Sequence, residues 1–265
     1  MNKLCIIAKN KNTYLIKRLI EELGQDEIKL FDPWSDIELP QSHKYLVRTT
    51  GVYKNDLDLM MISALPQNSV INPLHSLKRF RSKKVQYEWF DEMNISSLPW
   101  LYVKEVNEIT IEKFAILYPQ VLVKPNFGQG GWGIEVFNKE GLLKWYKKQK
   151  RLADLDFIIQ PFIAGADEFR YFFIKDQSFV LKRMGTTKVA ANFRQEGKAE
   201  VSKLPQGQEI LDKLILESGC HYGVVDLLIK DHEVMILELN SVPGVEQLEK
   251  ISGVNVSRLL LESIL

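Results

Sequence analysis

The chain has 265 residues, 45% of them hydrophobic and 26% charged, with 35 Lys and Arg against 34 Asp and Glu for a net charge of +1. That composition is globular, and the balance gives no general attraction for nucleic acid or a membrane surface. The two cysteines, Cys5 and Cys220, make no framework and no CxxC, which fits a reducing, cytoplasmic setting. MNKLCIIAKNKN is too short in apolar residues for a signal peptide, and no apolar run approaches a membrane span.

LCIIA reads as a buried strand, and TYLIKRLIEELG carries a helical apolar stripe closed by Gly24. EIKLF, KYLVRTT and SVINP read as further strands, with a helix over DLDLMMISAL. Strands alternating with helices over roughly the first 75 residues predict a small parallel α/β unit. SKKVQYEWFDEMNI is a helix, and LPWLYV and QVLVKP are strands around a helix near IEKFAIL. A glycine loop follows, then the strand GIEVF, the amphipathic helix GLLKWYKKQKRL and the apolar strand DFIIQPFI. From 168 onward EFRYFFIK and SFVLKRM make a hairpin, GQEILDKLILESG a helix, and VVDLLIK with EVMILEL a second hairpin. The tail, EQLEKISG and NVSRLLLESIL, is helical.

Two features carry chemistry. The last hairpin is apolar except for Asp226 on one arm and Glu238 on the other, with Asn240 two residues on. A three-residue loop at Asp231–Glu233 sets Asp226 opposite Glu238, and Glu238 and Asn240 share a face. Three hard oxygen donors on adjacent strands suit Mg²⁺. The second feature is KPNFGQGGWG, with Gly128, Gly130, Gly131 and Gly133. A dinucleotide fold needs a helix after such a loop, and a Walker loop ends in Gly-Lys-Ser/Thr. Here a strand follows. Strand, glycine loop, strand suits a flap over a triphosphate, with Lys124 as a point charge at its base. The histidines have no ligand spacing, and KRFRSKK reads as a solvated basic face.

In order, LVKPNFGQGGWGI, DFIIQPFI, EFRYFFI, GVVDLLIK and LELNSVPGVEQLEKISGVNV resemble the ATP-grasp superfamily, and within it the RimK-type glutamate ligases. The resemblance runs from about residue 80 to the end. It implies an α/β (α+β) ATP-grasp fold: a pre-ATP-grasp domain over 1–80, a glycine-flap lid over 81–161 and a metal-binding antiparallel subdomain over 162–265. It implies ATP, with two ions of Mg²⁺ (or Mn²⁺), and metal ligands Asp226, Glu238 and Asn240. Lys83 or Lys84, together with Lys124, would hold phosphates. Gln160, Pro161 and Phe162 would lie by the adenine and Glu168 by the ribose. Arg170 would face the transferred phosphate, and Arg183 and Asn192 would border the substrate. Pro161 replaces a glutamate common in the family, and NFRQEGKAE, with Glu196 and a single Gly197, replaces a basic double-glycine loop.

The function so implied is an ATP-dependent carboxylate–amine ligase working through an acylphosphate, adding an amino acid such as glutamate to a peptide, protein or small molecule. Its partners would be small-molecule or peptide substrates, with self-association common among relatives. The alternatives are a kinase on the same scaffold and a nucleotide-binding regulatory protein without turnover.

Overall fold

The computed structural model describes residues 2–49, 56–128, 130–183 and 199–265, which form three sheets. The first unit runs β1 (Asn2–Ile7), α1 (Tyr14–Leu23), β2 (Ile28–Phe31), β3 (Ser42–Val47), α2 (Leu57–Ser63), β4 (Val70–Ile71) and α3 (Leu74–Arg79). Its strands are parallel in the order β2-β1-β3-β4. β1 is buried without interruption from Leu4 to Ile7 because helices cover both faces. Leu4 and Ile6 meet the α1 stripe of Leu15, Ile16 and Leu19, while Cys5 and Ile7 meet Leu59 and Ile62 of α2 and Leu77 of α3.

The second unit runs α4 (Lys83–Glu92), β5 (Leu101–Tyr102), α5 (Glu108–Leu117), β6 (Val121–Pro125), β7 (Glu135–Phe137), α6 (Lys139–Leu152) and β8 (Phe157–Pro161). Its sheet, β5-β8-β6-β7, is antiparallel and packs Val121, Val123 and Ile159 on Ile111, Phe114, Leu142 and Trp145 of α5 and α6. The glycine loop joins β6 to its antiparallel neighbour β7, the flap hairpin expected from the sequence.

The third unit runs β9 (Asp167–Ile174), β10 (Gln177–Arg183), β11 (Ala199–Ser202), α7 (Gln208–Ser218), β12 (Tyr222–Lys230), β13 (Glu233–Asn240), α8 (Glu246–Ser252) and α9 (Val256–Ile264). The sheet is antiparallel in the order β11-β10-β9-β12-β13, so β13 is an edge strand. The first and third units share one core. Leu4, Ile6 and Leu19 cluster with Phe172, Ile174, Val224, Leu260 and Ile264.

Asn72, fully buried, ties the same two units. Its amide nitrogen donates to the carbonyls of Tyr222 (2.9 Å) and Ser241 (2.7 Å). Its amide oxygen accepts from the backbone N–H groups of His221 (2.7 Å) and Tyr222 (3.1 Å). Every hydrogen-bonding valence of that side chain is used.

Three details differ from the sequence expectation. α3 and β11 were not anticipated. The basic run KRFRSKK is not uniformly solvated, because Arg81 is buried and makes a two-pronged pair with the buried Asp58. The β12–β13 turn has two residues, Asp231 (φ 50°) and His232 (φ 68°), both in the left-handed region that a tight primed turn requires. A two-residue turn alone would set Asp226 against Leu237. A bulge at Leu237 shifts the register by one and restores Asp226 opposite Glu238.

Candidate active site

Arg170, Asp226 and Glu238 form a row across three adjacent strands, each opposite the next. Residues directly opposite in antiparallel strands lie on one face, so the three side chains converge. Arg170 Nε donates to Asp226 Oδ1 at 2.8 Å. Two residues back on β9, Glu168 accepts from Arg183 of β10 at 2.6 Å. Burial raises the Glu168 carboxyl above its usual range despite that arginine. For Glu238 burial also pushes upward, but Lys83, Lys124, Arg170 and Arg183 together outweigh it and hold the carboxyl below its ordinary value.

The cations come from the neighbouring unit. α4 starts beside the flap because the buried Asn126 grips its first turn. The Asn126 amide oxygen accepts from Ser82 Oγ (3.0 Å) and the Lys84 N–H (2.8 Å), and its carbonyl accepts from the Lys83 N–H (3.1 Å). Lys83 Nζ then donates to the carbonyl of Gly128 at 3.0 Å and lies 3.8 Å from Glu238. Lys84 points elsewhere, to Glu88 (2.5 Å) and Glu105 (3.3 Å). The sequence left these two lysines as alternatives, and the geometry brings Lys83 to the carboxylates.

Lys124, on β6 at the base of the flap, is buried, and its Nζ donates to Tyr87 Oη at 2.5 Å. Burial pushes its pKa down to about 7. Lys83, Gly128, Glu238 and Asn240 line one open recess between the flap and β13. Within the flap Gly133 has φ +72°, and a Cβ there would lie 2.8 Å from Pro125 Cγ, so a side chain would strain the turn and strike its base. Gly130 and Gly131 also have positive φ.

Asn240 behaves differently from the two acids. Its amide oxygen accepts from the Val242 N–H at 2.9 Å, closing a turn ahead of Pro243, with one lone pair remaining on that oxygen. Gln160 lies at the end of β8 on the Lys124 face, 3.2 Å from Tyr87 Oη, and its buried Nε2 has no partner. Phe162 donates from its backbone to Gln120, next to the buried Pro161. Asn192 lies outside the described residues, as does the segment with Glu196 and Gly197.

Among the described residues no group of three His, Cys, Asp or Glu side chains is placed to hold a metal. The oxygen set here is two carboxylates and one amide. That set, faced by Lys83, Lys124 and Arg170, fits a hard cation carried on a polyanion. The orphaned Gln160 Nε2 beside it fits a ligand with a hydrogen-bond acceptor. Asn126, Tyr87 and Gln86, which hold α4 against the flap and β13, carry no local signal in the sequence. Arg81 had one signal: Asp58 interrupts the apolar run LDLMMIS, and a buried aspartate needs a cation.

The architecture is that of a nucleotide-clamping ligase, with a glycine flap on one sheet facing carboxylates on another. The RimK-like ATP-grasp domain matches residues 80–264, and the chain belongs to that family. It is an ATP-dependent ligase of a family that uses ATP and Mg²⁺.

Among its relatives, the tetrahydromethanopterin:alpha-L-glutamate ligase of Methanocaldococcus jannaschii is 28% identical over 210 residues, covering 74% of this chain and 70% of the relative. A "Probable alpha-L-glutamate ligase" of Xanthomonas campestris pv. campestris (strain 8004) is 25% identical over 294 residues, covering 99% and 98%. Among solved structures, D-alanine–D-alanine ligase from Bacillus anthracis superposes with a TM-score of 0.69 at 16% identity, over 100% of this chain and 96% of that one. The RimK domain protein of Sphaerobacter thermophilus gives 0.71 at 13% identity, over 99% of each. At those identities the likeness is one of fold. No helix among the described residues is long and apolar enough to cross a membrane.

Proposed function

We propose that the chain is a carbon–nitrogen ligase of the cytoplasm that activates a carboxylate as an acylphosphate and joins it to an amine. The reading rests on one observation above the others, the row Arg170–Asp226–Glu238 beside Lys83 and Lys124. The names of its relatives favour glutamate as the amino acid, added to a peptide, a protein or a small-molecule acceptor.

A carboxylate is a poor electrophile, and transfer of a phosphoryl group to one of its oxygens gives it a leaving group. Asp226, Glu238 and the free lone pair of Asn240 are the donors that would hold two Mg²⁺ (or Mn²⁺) ions. Such ions neutralise charge on the phosphate oxygens. Lys83 and Lys124 hold the triphosphate from the flap side, with Gly128, Gly130 and Gly131 above it. Gln160, Pro161 and Phe162 border the base and Glu168 the ribose. Arg170, held beside the site by Asp226, would face the transferred phosphoryl and the tetrahedral stage that follows. Arg183 would border the acceptor, the role also expected of Asn192, which lies outside the described residues. A closed flap excludes water, which would hydrolyse the acylphosphate.

The test is an ADP-release screen over amino acids and peptides, with mass detection of the product and a hydroxylamine trap. A hydroxamate is expected from the activated acid. ADP release with a phosphorylated product and no hydroxamate would make the protein a kinase. Nucleotide binding without ADP release under any acceptor would make it a regulatory protein. Glu238→Ala should abolish Mg²⁺-dependent ADP formation, and retained turnover would remove the metal assignment.

A further inference from the structure

We propose that Gln86 and Tyr87 are positioning residues that clamp the free edge of β13 on either side of Glu238 and so fix its carboxylate at the recess. The inference rests on the reading of Glu238 as a metal ligand.

β13 is the last strand of its sheet, and beyond it, among the described residues, only Ser96 and Ser97 pair with it backbone to backbone, the Ile236 N–H donating to the Ser96 carbonyl at 2.9 Å. The outer groups of Leu237 and Leu239 have no strand beside them and must be satisfied otherwise. α4 does this with side chains. The Gln86 amide copies a strand residue, its Nε2 donating to the Leu239 carbonyl (3.0 Å) and its Oε1 accepting from the Leu239 N–H (2.9 Å). Tyr87 Oη donates to the Leu237 carbonyl at 2.6 Å. Leu237 is the bulged residue, the one left out of the β12 ladder, so its carbonyl would otherwise be unfixed. Glu238 sits between the two clamped residues.

The same hydroxyl does a second task. Its single proton has the Leu237 carbonyl at 2.6 Å as its near acceptor and Gln160 Oε1 at 3.2 Å as its far one, and its oxygen accepts from Lys124 Nζ at 2.5 Å. One oxygen atom therefore links the base of the flap to the strand carrying Glu238. Lys83, Gln86 and Tyr87 lie at i, i+3 and i+4 on α4, so one helix face presents a cation to the recess and holds both its walls. Tyr87 is fully buried, with its ring against Phe90 (5.8 Å) and Trp100 (5.6 Å), and Phe in its place would preserve that packing.

The experiment titrates Mg²⁺ at a fixed concentration of a fluorescent ATP analogue, with thermal unfolding in parallel, for the full chain and for Tyr87→Phe and Gln86→Leu. Both variants should raise the half-saturating Mg²⁺ concentration by about tenfold, the scale of one or two lost hydrogen bonds. Tyr87→Phe should also weaken metal-free nucleotide binding through Lys124, whereas Gln86→Leu should leave it within about twofold. In a Glu238→Gln background neither substitution should change the Mg²⁺ requirement further, which separates positioning of that carboxylate from general loosening. Wild-type Mg²⁺ dependence in a folded variant overturns the clamp. The two substitutions touch different atoms, so if one does not fold the other decides. Absence of any Mg²⁺-dependent nucleotide binding in the wild type overturns the metal reading itself, a result distinct from failure of the clamp.

Discussion

Arg170 and Asp226 stand opposite each other on β9 and β12, with the guanidinium Nε 2.8 Å from the carboxylate, their side chains 17% and 12% exposed. The pair is closed to most solvent, so breaking one side strands the other charge. Asp226→Asn should therefore destabilise the fold by about 1.5–3 kcal/mol, the worth of a hydrogen bond to a charged group. Replacing both by apolar residues of similar size should cost less than the single change, because no orphan charge remains. Urea unfolding measures both, and equal stability of Asp226→Asn and wild type would mean that the pair contributes nothing to the resting fold. Neither variant should turn over.

Lys124 gives a pH prediction. Its pKa lies near 7 because it is buried, so it loses its charge as pH rises through neutrality. A triphosphate favours the charged form, so above about pH 7 nucleotide binding takes up a proton and KM for ATP rises, by up to about tenfold per unit. Unfolded lysine titrates near about 10.4. Between the two values the unfolded chain binds more protons, so this residue makes the fold more stable as pH rises through that window. KM profiles test the first statement. Lys124→Gln should bind ATP weakly with a flat profile, and a wild-type profile that is equally flat would contradict the assignment.

Lys83 and Lys84 are neighbours with opposite expectations. Lys83 reaches Gly128 and Glu238, while Lys84 is spent on Glu88 and Glu105. Lys83→Gln should raise KM for ATP by about tenfold or more, the scale of a charge-assisted contact. Lys84→Gln should change KM by less than about twofold, since its partners are surface carboxylates. Steady-state kinetics of the two variants decide this, and the reverse order would move the phosphate contact to Lys84.

How much of this could be read from the sequence depends on the range of the interaction. The period-two pattern of VVDLLIK and VMILELN reports which residues share a face, so Asp226, Glu238 and the hairpin were legible. The route to their pairing was not, because a two-residue turn plus a bulge gives the same register as a three-residue turn without one. The flap was legible because strand, glycines and strand are contiguous. Asn72, Gln86 and Asn126 were not, since each acts on backbone far away in the chain: 150 residues away for Asn72 and 153 for Gln86. Local pattern carries no trace of such a contact. Arg81 was misread for a related reason. A charge run predicts solvent on average, and only the tertiary fold selects the one member that meets Asp58.

The motif Glu-Lys-x-x-Gly at 249–253 ends the stretch LELNSVPGVEQLEKISG, and its glutamate serves the fold. The buried Glu249 carboxylate accepts from Tyr14 Oη (2.7 Å), Arg18 Nε (3.2 Å) and the Ser257 N–H (2.7 Å), joining α1, α8 and the start of α9. Burial pushes its pKa up, but the donors from Tyr14, Ser257 and Arg18 outweigh that and leave it below the ordinary carboxylate value. The folded pKa is thus lower than the unfolded one, near about 4.3. The stabilisation is therefore fully present above that value and is lost as pH falls through the folded pKa. Glu249→Gln should lower stability at pH 7 by about 1–3 kcal/mol, through loss of the charge-assisted bonds. The gap between the two proteins should narrow steadily below about pH 4.3, where the wild-type carboxylate takes up its proton. Thermal unfolding of both across that range is the measurement. A gap that stays constant with pH would mean that the neutral amide and the neutral acid differ only in shape, and that the charge at Glu249 does not hold the three helices together.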